Sequence, residues 1–254
     1  MHVEVFGRLK SLRLCGVFDY LAGHLKNADT EKCLLHDRQP TDLPEMQTLA
    51  IYSGGRFAYW RDEPNTEKPL LVHVDNAVHF PKCVIVGAVD PFFMIAHLIG
   101  GILPAKYRSF FSRDWVEHYN VFTAHVRTIT KSRKKETVGL PFHGIGIRVE
   151  IVNGVGYRPL REKTGKLKDL ITSVVNASSG EQKQKKLEKI MDIVSRVQDF
   201  GMGLEFGHDI FWANHDFFDK MAGKVLTMAY KLLNREVFAR ILELHMPLRR
   251  STSD

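Results

Sequence analysis

A chain of 254 residues can bury one large core or two smaller ones, and its 44% hydrophobic and 26% charged residues mark a globular protein, not a disordered or fibrous one. The formal net charge of +7 favours acidic partners such as nucleic acid or other poly-anions, with a merely soluble basic surface as the alternative. Three widely spaced cysteines, Cys15, Cys33 and Cys83, exclude a disulfide framework or zinc ribbon and suit a reducing compartment; the longest apolar window, residues 91–104, is broken by His97 and Gly100-Gly101, so no membrane span is expected.

Residues 1–47 carry few clear elements. Acid and base are mixed at the start without the apolar block of a secretory signal; an apolar run at residues 17–21 and a loop with Pro40 and Pro44 follow. From Gln47 the texture changes. QTLAIYS and RFAYWRD are β-rich runs separated by Gly54-Gly55, and LLVHV and CVIVGAV read as two more strands, which together predict a mostly antiparallel sheet. Asp90 as N-cap and Pro91 at the first helical position open a helix carrying Phe92, Phe93, Ile95, Ala96 and Ile99 until Gly100-Gly101.

Trp115, Tyr119 and Phe122 share one side of a possible helix, followed by the basic run Arg127, Lys131, Arg133, Lys134 and Lys135. Such a run is ordinarily a solvated linker or helix end, with nucleic-acid contact as the alternative, and the domain boundary is placed beside it. The alternation of Ile145, Ile147, Val149 and Ile151 predicts a strand with one buried face, and Asn153-Gly154 is the strongest hairpin signal because both residues tolerate the positive φ of a type I′ turn. Tyr157 and Arg158 follow directly, a rigid ring beside a planar fork suited to carboxylate or phosphate, or else a tyrosine packing on its own sheet.

Residues 163–190 read as two Lys-rich amphipathic helices, with Leu167, Leu170, Ile171 and Val174 inside the first and Leu187, Ile190, Ile193 and Val194 inside the second; Lys183, Lys185, Lys186 and Lys189 line its outer face. The stretch 199–245 then organises the rest. Gly201, Gly203 and Gly207 predict a turn or a close backbone approach, after which Phe218, Met221, Val225, Met228 and Leu232 form a helical stripe toward the core, continued by Val237, Phe238, Ile241, Leu242 and His245.

Two constellations invite chemistry. Asp199-Phe200-Gly201 is a kinase-like tripeptide without the phosphate loop or catalytic loop that a kinase needs. His208-Asp209 and His215-Asp216, seven residues apart, would share one side of a helix and are the ligand types of a metal-dependent phosphohydrolase, although no third cluster completes the set. With no nucleophile elbow, Walker loop or dinucleotide fingerprint, the motifs point to a binding or accessory protein rather than a self-sufficient enzyme.

DFGMGLEFGHDIFWANHDFFDKMAGKVLTMAYKLLNREVFARILELH, together with FHGIG, VGYRPL, FDYLAG, LPEMQTLAIY and YWRDEP, resembles the histone PARylation factor 1 family in order along almost the whole chain. The resemblance implies an α+β fold: an N-terminal domain, 1–125, with a mostly antiparallel sheet and helices, and a C-terminal docking domain, 126–254, that is mainly helical with a β-hairpin. It implies a nuclear, chromatin-associated accessory factor of the DNA damage response. Such a factor binds the catalytic domain of a poly(ADP-ribose) polymerase as a monomer and directs ADP-ribosylation to serines of histones, with poly(ADP-ribose) as a further ligand. No cofactor of its own is implied, NAD being bound by the polymerase. The family also carries an N-terminal helical segment and a basic tail that this chain lacks.

The residues carried over are Tyr157, Arg158, Asp199, Gly201, Met202, Gly203 and Glu205 for partner binding, the last five expected on a glycine-bent loop. The family's general base is a glutamate of an Asp-Glu pair just upstream, where this chain reads Arg196, Val197 and Gln198. Valine cannot accept a proton, so docking is expected to be retained and base catalysis is not carried over; Asp199 is the candidate acid adjacent to the site and Asp192 lies about two turns upstream, neither at the base's position. Two other classes stand beside this one: the metal phosphohydrolase, and a chromatin or nucleic-acid binder acting through the lysines at 131–135 and 183–189.

Overall fold

The computed structural model describes residues 11–100, 113–196 and 199–250. The chain divides into two compact units, one of residues 1–37, 45–76 and 82–136, the other of residues 38–44, 77–81 and 137–254.

The first unit is built on a five-stranded antiparallel sheet whose strands neighbour one another in chain order: β1 (Arg13–Leu14), β2 (Met46–Tyr52), β3 (Gly55–Trp60), β4 (Leu70–Val74) and β5 (Cys83–Ala88). The four longer strands are those expected. Two-residue β1 was not, being too short to show a period. Tyr52 pairs with Gly55 across a two-residue turn, and Gly55 sits at φ 142°, a conformation open to glycine and strained for any other residue. Short helices α1 (Val17–Leu21) and α2 (Thr30–Leu35) precede β2, with Asp29 capping α2 through the Lys32 N–H. Helices α3 (Phe92–Gly100) and α4 (Arg113–Glu136) follow β5. Leu49, Phe57, Leu71 and Val86 of the sheet and Phe93 and Leu98 of α3 form one buried cluster.

The basic run at 127–135 is the end of α4, where cations meet the negative pole of the helix. Arg133 turns inward instead: its guanidinium is buried and donates to both carboxylate oxygens of Asp62, at 2.5 and 2.6 Å.

The second unit is helical: α5 (Thr164–Val175), α6 (Gly180–Ser195), α7 (Phe200–Trp212), α8 (Asp216–Leu232) and α9 (Glu236–Leu248). Leu167, Ile171, Val174, Ile190 and Ile193 are buried as their spacing predicts. Only part of the lysine face of α6 is solvated, since Lys186 donates to the Ser173 carbonyl at 3.0 Å and Lys183 lies over the Phe217 ring.

Three expectations change here. The alternating segment 145–151 forms no strand, and Gly139–Ile147 and Val152–Val155 are isolated bridges. Gly144 and Gly146, at φ 79° and 78°, break the extended backbone, and the Arg148 carbonyl accepts from Arg235 Nη2 at 2.7 Å instead of a neighbouring strand. The turn itself is as expected, with Asn153 and Gly154 at φ 52° and 75° and mutual hydrogen bonds between Val152 and Val155.

Second, the buried stripe of α8 is Phe218, Ala222, Leu226, Ala229 and Tyr230, whereas Met228 and Leu232 of the predicted stripe are exposed. Third, the glycine-rich segment is helix α7, not a loop.

At the end of α9, Arg249 is enclosed completely. It donates to the carbonyls of Pro40 and Phe211, both at 2.6 Å, and to Asp219 Oδ1 at 2.7 Å, and its guanidinium stacks 3.7 Å over the Phe211 ring. Burial lowers its pKa to about 9, so it still carries charge at neutral pH opposite Asp219.

Candidate functional site

The start of α7 and the turn at 152–157 meet backbone to backbone. Asp199 caps the helix, its Oδ1 accepting from the Met202 N–H at 2.9 Å, which satisfies one donor that the first turn would otherwise leave open. The Gly201 N–H donates to the Gly156 carbonyl at 2.8 Å. A Cβ on Gly201 would lie 2.5 Å from that carbonyl oxygen and 2.9 Å from Tyr157 Cβ, so glycine is required by the approach and not by φ. Gly207 plays the same part on the far face, where a Cβ would meet Leu226 at 2.5 Å.

Glu205 fastens the contact one turn on. Its Oε2 accepts from the Tyr157 hydroxyl at 2.7 Å and its Oε1 from the Leu140 N–H at 3.2 Å. Burial raises the Glu205 pKa, opposed by those two hydrogen bonds and by His208; burial and Glu205 together raise that of Tyr157, so the phenol remains a donor at neutral pH. Asp209, four residues further along the same face, accepts from the Phe142 N–H at 2.7 Å and is fully enclosed, which raises its pKa well above the ordinary carboxylate value.

His143 and His208 form a buried imidazole pair. The Ile145 N–H donates to His143 Nδ1 at 3.1 Å, which assigns the remaining ring proton of a neutral His143 to Nε2 and directs it at His208 Nδ1, 3.2 Å away; His208 Nε2 in turn lies 3.3 Å from the Tyr230 hydroxyl.

The sequence-predicted partner residues are thus brought together, but most face inward. Gly201, Met202, Gly203 and Glu205 are buried, Tyr157 is half-buried and Arg158 is exposed. Beside them Ile151, Val152 and Val155 are 47, 56 and 57% exposed, a row of aliphatic side chains around the turn that the strand reading had placed partly on a buried face.

Asp199 has one oxygen in the cap and the other, Oδ2, enclosed without a hydrogen-bond partner among the described residues. Arg196 pairs with Glu162 and Asp192, both at 2.9 Å; Val197 and Gln198 lie outside the described residues.

The seven-residue interval between the His-Asp pairs does not put them on one helix. His208 and Asp209 are inside α7, while His215 caps α8 through the Phe217 N–H and Asp216 stands exposed in its first turn. Asn214, at φ 50°, bends the chain between them. Among the described residues the grouping with ligand-like spacing is instead Asp19, His36 and Asp37, and it closes on itself: His36 Nε2 reaches both carboxylates, and Arg13 neutralises Asp37 at 2.8 Å.

Sequence reasoning missed the roles of Glu205, Asp209 and His143. The signal was present, because Glu205, His208 and Asp209 are spaced i, i+3, i+4 and share a face once residues 200–212 are read as helix.

Comparison of the sequence with known proteins gives the family. The family described as histone PARylation factor 1 matches residues 2–249. The chain is 34% identical to mouse (Mus musculus) histone PARylation factor 1 over 265 aligned residues, spanning 94% of this chain and 75% of that protein. It is 37% identical to the zebrafish (Danio rerio) protein of that name over 258 residues, 94% of this chain and 74% of the relative. It is also 32% identical to a human (Homo sapiens) putative histone PARylation factor 1-like protein over 266 residues, 94% and 75% of the two chains.

Proposed function

The chain belongs to the histone PARylation factor 1 family, and from that premise we propose that it is an accessory factor that docks on the catalytic domain of a poly(ADP-ribose) polymerase in the nucleus and acts on histone modification. The observation that carries the docking reading is the turn at 152–157. It presents Arg158 and the exposed aliphatic side chains of Ile151, Val152 and Val155, and is fixed to α7 by Gly201 and Glu205. Exposed aliphatic side chains with an arginine close by in the chain, on a fixed support, have the composition of a protein interface with a few dominant contacts.

Serine is a poor nucleophile at neutral pH, so transfer of ADP-ribose to it needs a base within hydrogen-bond reach. Near that position Arg196 is cationic and held in ion pairs, Glu205 is held by Tyr157 and Leu140, and Asp199 has one oxygen in the helix cap and the other enclosed, not presented to a substrate. Our reading is therefore docking without a base supplied by these residues. NAD is the polymerase's substrate in this scheme and no cofactor is assigned to the chain.

The test combines the purified chain, a DNA-activated polymerase and a serine-containing histone peptide, and reads complex formation and the modified residue separately. We expect a saturable complex, weakened about thirtyfold by Arg158→Ala, the equivalent of about 2 kcal/mol, and no serine labelling beyond that of the polymerase alone. Absence of a complex would remove the docking reading. Serine labelling that depends on this chain would show that it does supply a base.

A further inference from the structure

The sheet unit holds a cavity of its own, of about 340 Å³, between β5, α3 and α4. That volume is within the range of small-ligand sites. Val86, Phe93 and Ala96 make a buried apolar floor, and Phe122 and Val126 of α4 close one side. Phe93 and Phe122 meet edge to face with ring centroids 4.8 Å apart, and the His125 ring stacks on Phe93 at 5.6 Å, so the half-buried Phe122 is the aromatic side chain more open toward the cavity. The floor is rigid, because Phe93 lies against the backbone of Gly87, where even a Cβ would meet its ring at 2.3 Å.

Two polar groups on this cavity separate it from a gap in packing. His97 lies mostly enclosed on α3, its ring 4.9 Å from that of His73 and edge-on to Phe57 at 5.8 Å, and no hydrogen bond reaches its nitrogens among the described residues. Burial and the charge of Lys82 lower its pKa, so at neutral pH it offers one N–H donor and one lone pair. Leaving such a group without a partner costs stability unless a ligand or water supplies it.

The second group is Arg127. Tyr119, Thr123 and Arg127 recur every four residues along α4, so they stand one above another on the face that lines the cavity. Arg127 is exposed and makes no ion pair among the described residues. A purely apolar ligand would leave His97 and Arg127 unanswered, and an inorganic anion would leave the aromatic floor unanswered.

We propose that this cavity binds a planar heteroaromatic ring carrying one anionic group, the ring packed on Phe93, Phe122 and Val126 with a heteroatom at His97, and the anion at Arg127. Both phosphate-bearing nucleosides and aromatic carboxylates have this chemistry, and a calorimetric titration of the whole chain separates them with adenosine 5′-monophosphate in one arm and indole-3-acetate in the other. Adenosine and inorganic phosphate, each carrying half of the features, serve as controls.

We expect at least one of the two probes to saturate, each control to bind at least about tenfold more weakly, and Arg127→Ala to weaken the probe about tenfold through loss of a charge-assisted contact. Thr123→Trp, whose indole would occupy the cavity, should abolish binding while the melting transition is retained. Failure of both probes to saturate, or probe binding unweakened by Arg127→Ala, overturns the proposal; the latter variant is a surface change and keeps the test decisive if Thr123→Trp does not fold. A folded Thr123→Trp that still binds would place the ligand elsewhere and overturn it equally.

Discussion

Strands β2 to β5 hold one another through backbone hydrogen bonds, whereas residues 138–157 are held to α7 largely by the side chains of Glu205, Asp209 and His208. The ladder spreads its attachment over donors and acceptors that every residue owns, so no one side chain is indispensable. The turn segment concentrates its attachment in a few buried ionisable groups, whose loss leaves a partner unsatisfied and whose charge state follows pH. Position in the sheet is therefore tolerant, and position at the candidate docking turn is exacting.

The largest effect is expected where the helical unit concentrates most on one side chain. Arg249→Ala removes the donor to the Pro40 and Phe211 carbonyls and the stacking on the Phe211 ring, while Asp219 keeps its pair with Arg250, and should cost about 4 kcal/mol in urea unfolding. A cost under about 1 kcal/mol would mean that buried polar anchors do not dominate this unit.

Next comes acidification. Burial holds His245 at about 4 against an ordinary 6.5, so the folded state binds fewer protons than the unfolded one across that window. Stability from this group is present above pH 6.5 and lost as pH falls toward 4, by about 3 kcal/mol, a loss that His245→Gln should remove in urea titrations at pH 7 and pH 4. Glu205 and Asp209 act with the opposite sign: their raised pKa values make the folded state the stronger proton binder, so their contribution improves as pH falls through the folded values. Glu205→Gln should accordingly steepen the acid loss.

Asp209→Ala leaves the Phe142 N–H without its acceptor and should cost about 2 kcal/mol, while Asp209→Asn, which keeps an acceptor without a charge to desolvate, should cost about half as much or less. The smallest effect is expected in the sheet. Gln47→Ala removes a side chain that accepts from Arg61 at 2.8 Å on β2 but leaves the ladder intact, at about 0.5 kcal/mol. Should Gln47→Ala cost as much as Asp209→Ala, the contrast between the two regions fails.

Much of this architecture was legible in the residues. Apolar runs bounded by Gly54-Gly55 and polar turns announced four strands, and the period of Leu167, Ile171 and Val174 announced α5. What misled was glycine. Gly144 and Gly146 sit inside an alternation that otherwise reads as a strand, and their positive φ is invisible to a period count. Gly201, Gly203 and Gly207 read as a loop, since each weakens an isolated helix by about 1 kcal/mol, yet Gly201 and Gly207 are where neighbours press against α7.

The same cause shifted the α8 stripe. Ala222 and Ala229 face inward because a close crossing of α7 and α8 wants small side chains, while the larger Met228 faces solvent. The candidate docking residues were named through family likeness, but nothing in the residues announced that Gly201, Met202, Gly203 and Glu205 would be buried.

One contact carries further than its size suggests. Where Gly156 meets Gly201, neither chain has a side chain to yield, so the junction has no cushion. A force applied to the tip passes straight into the axis of α7, and a molecule that grips the one has hold of a lever on the other.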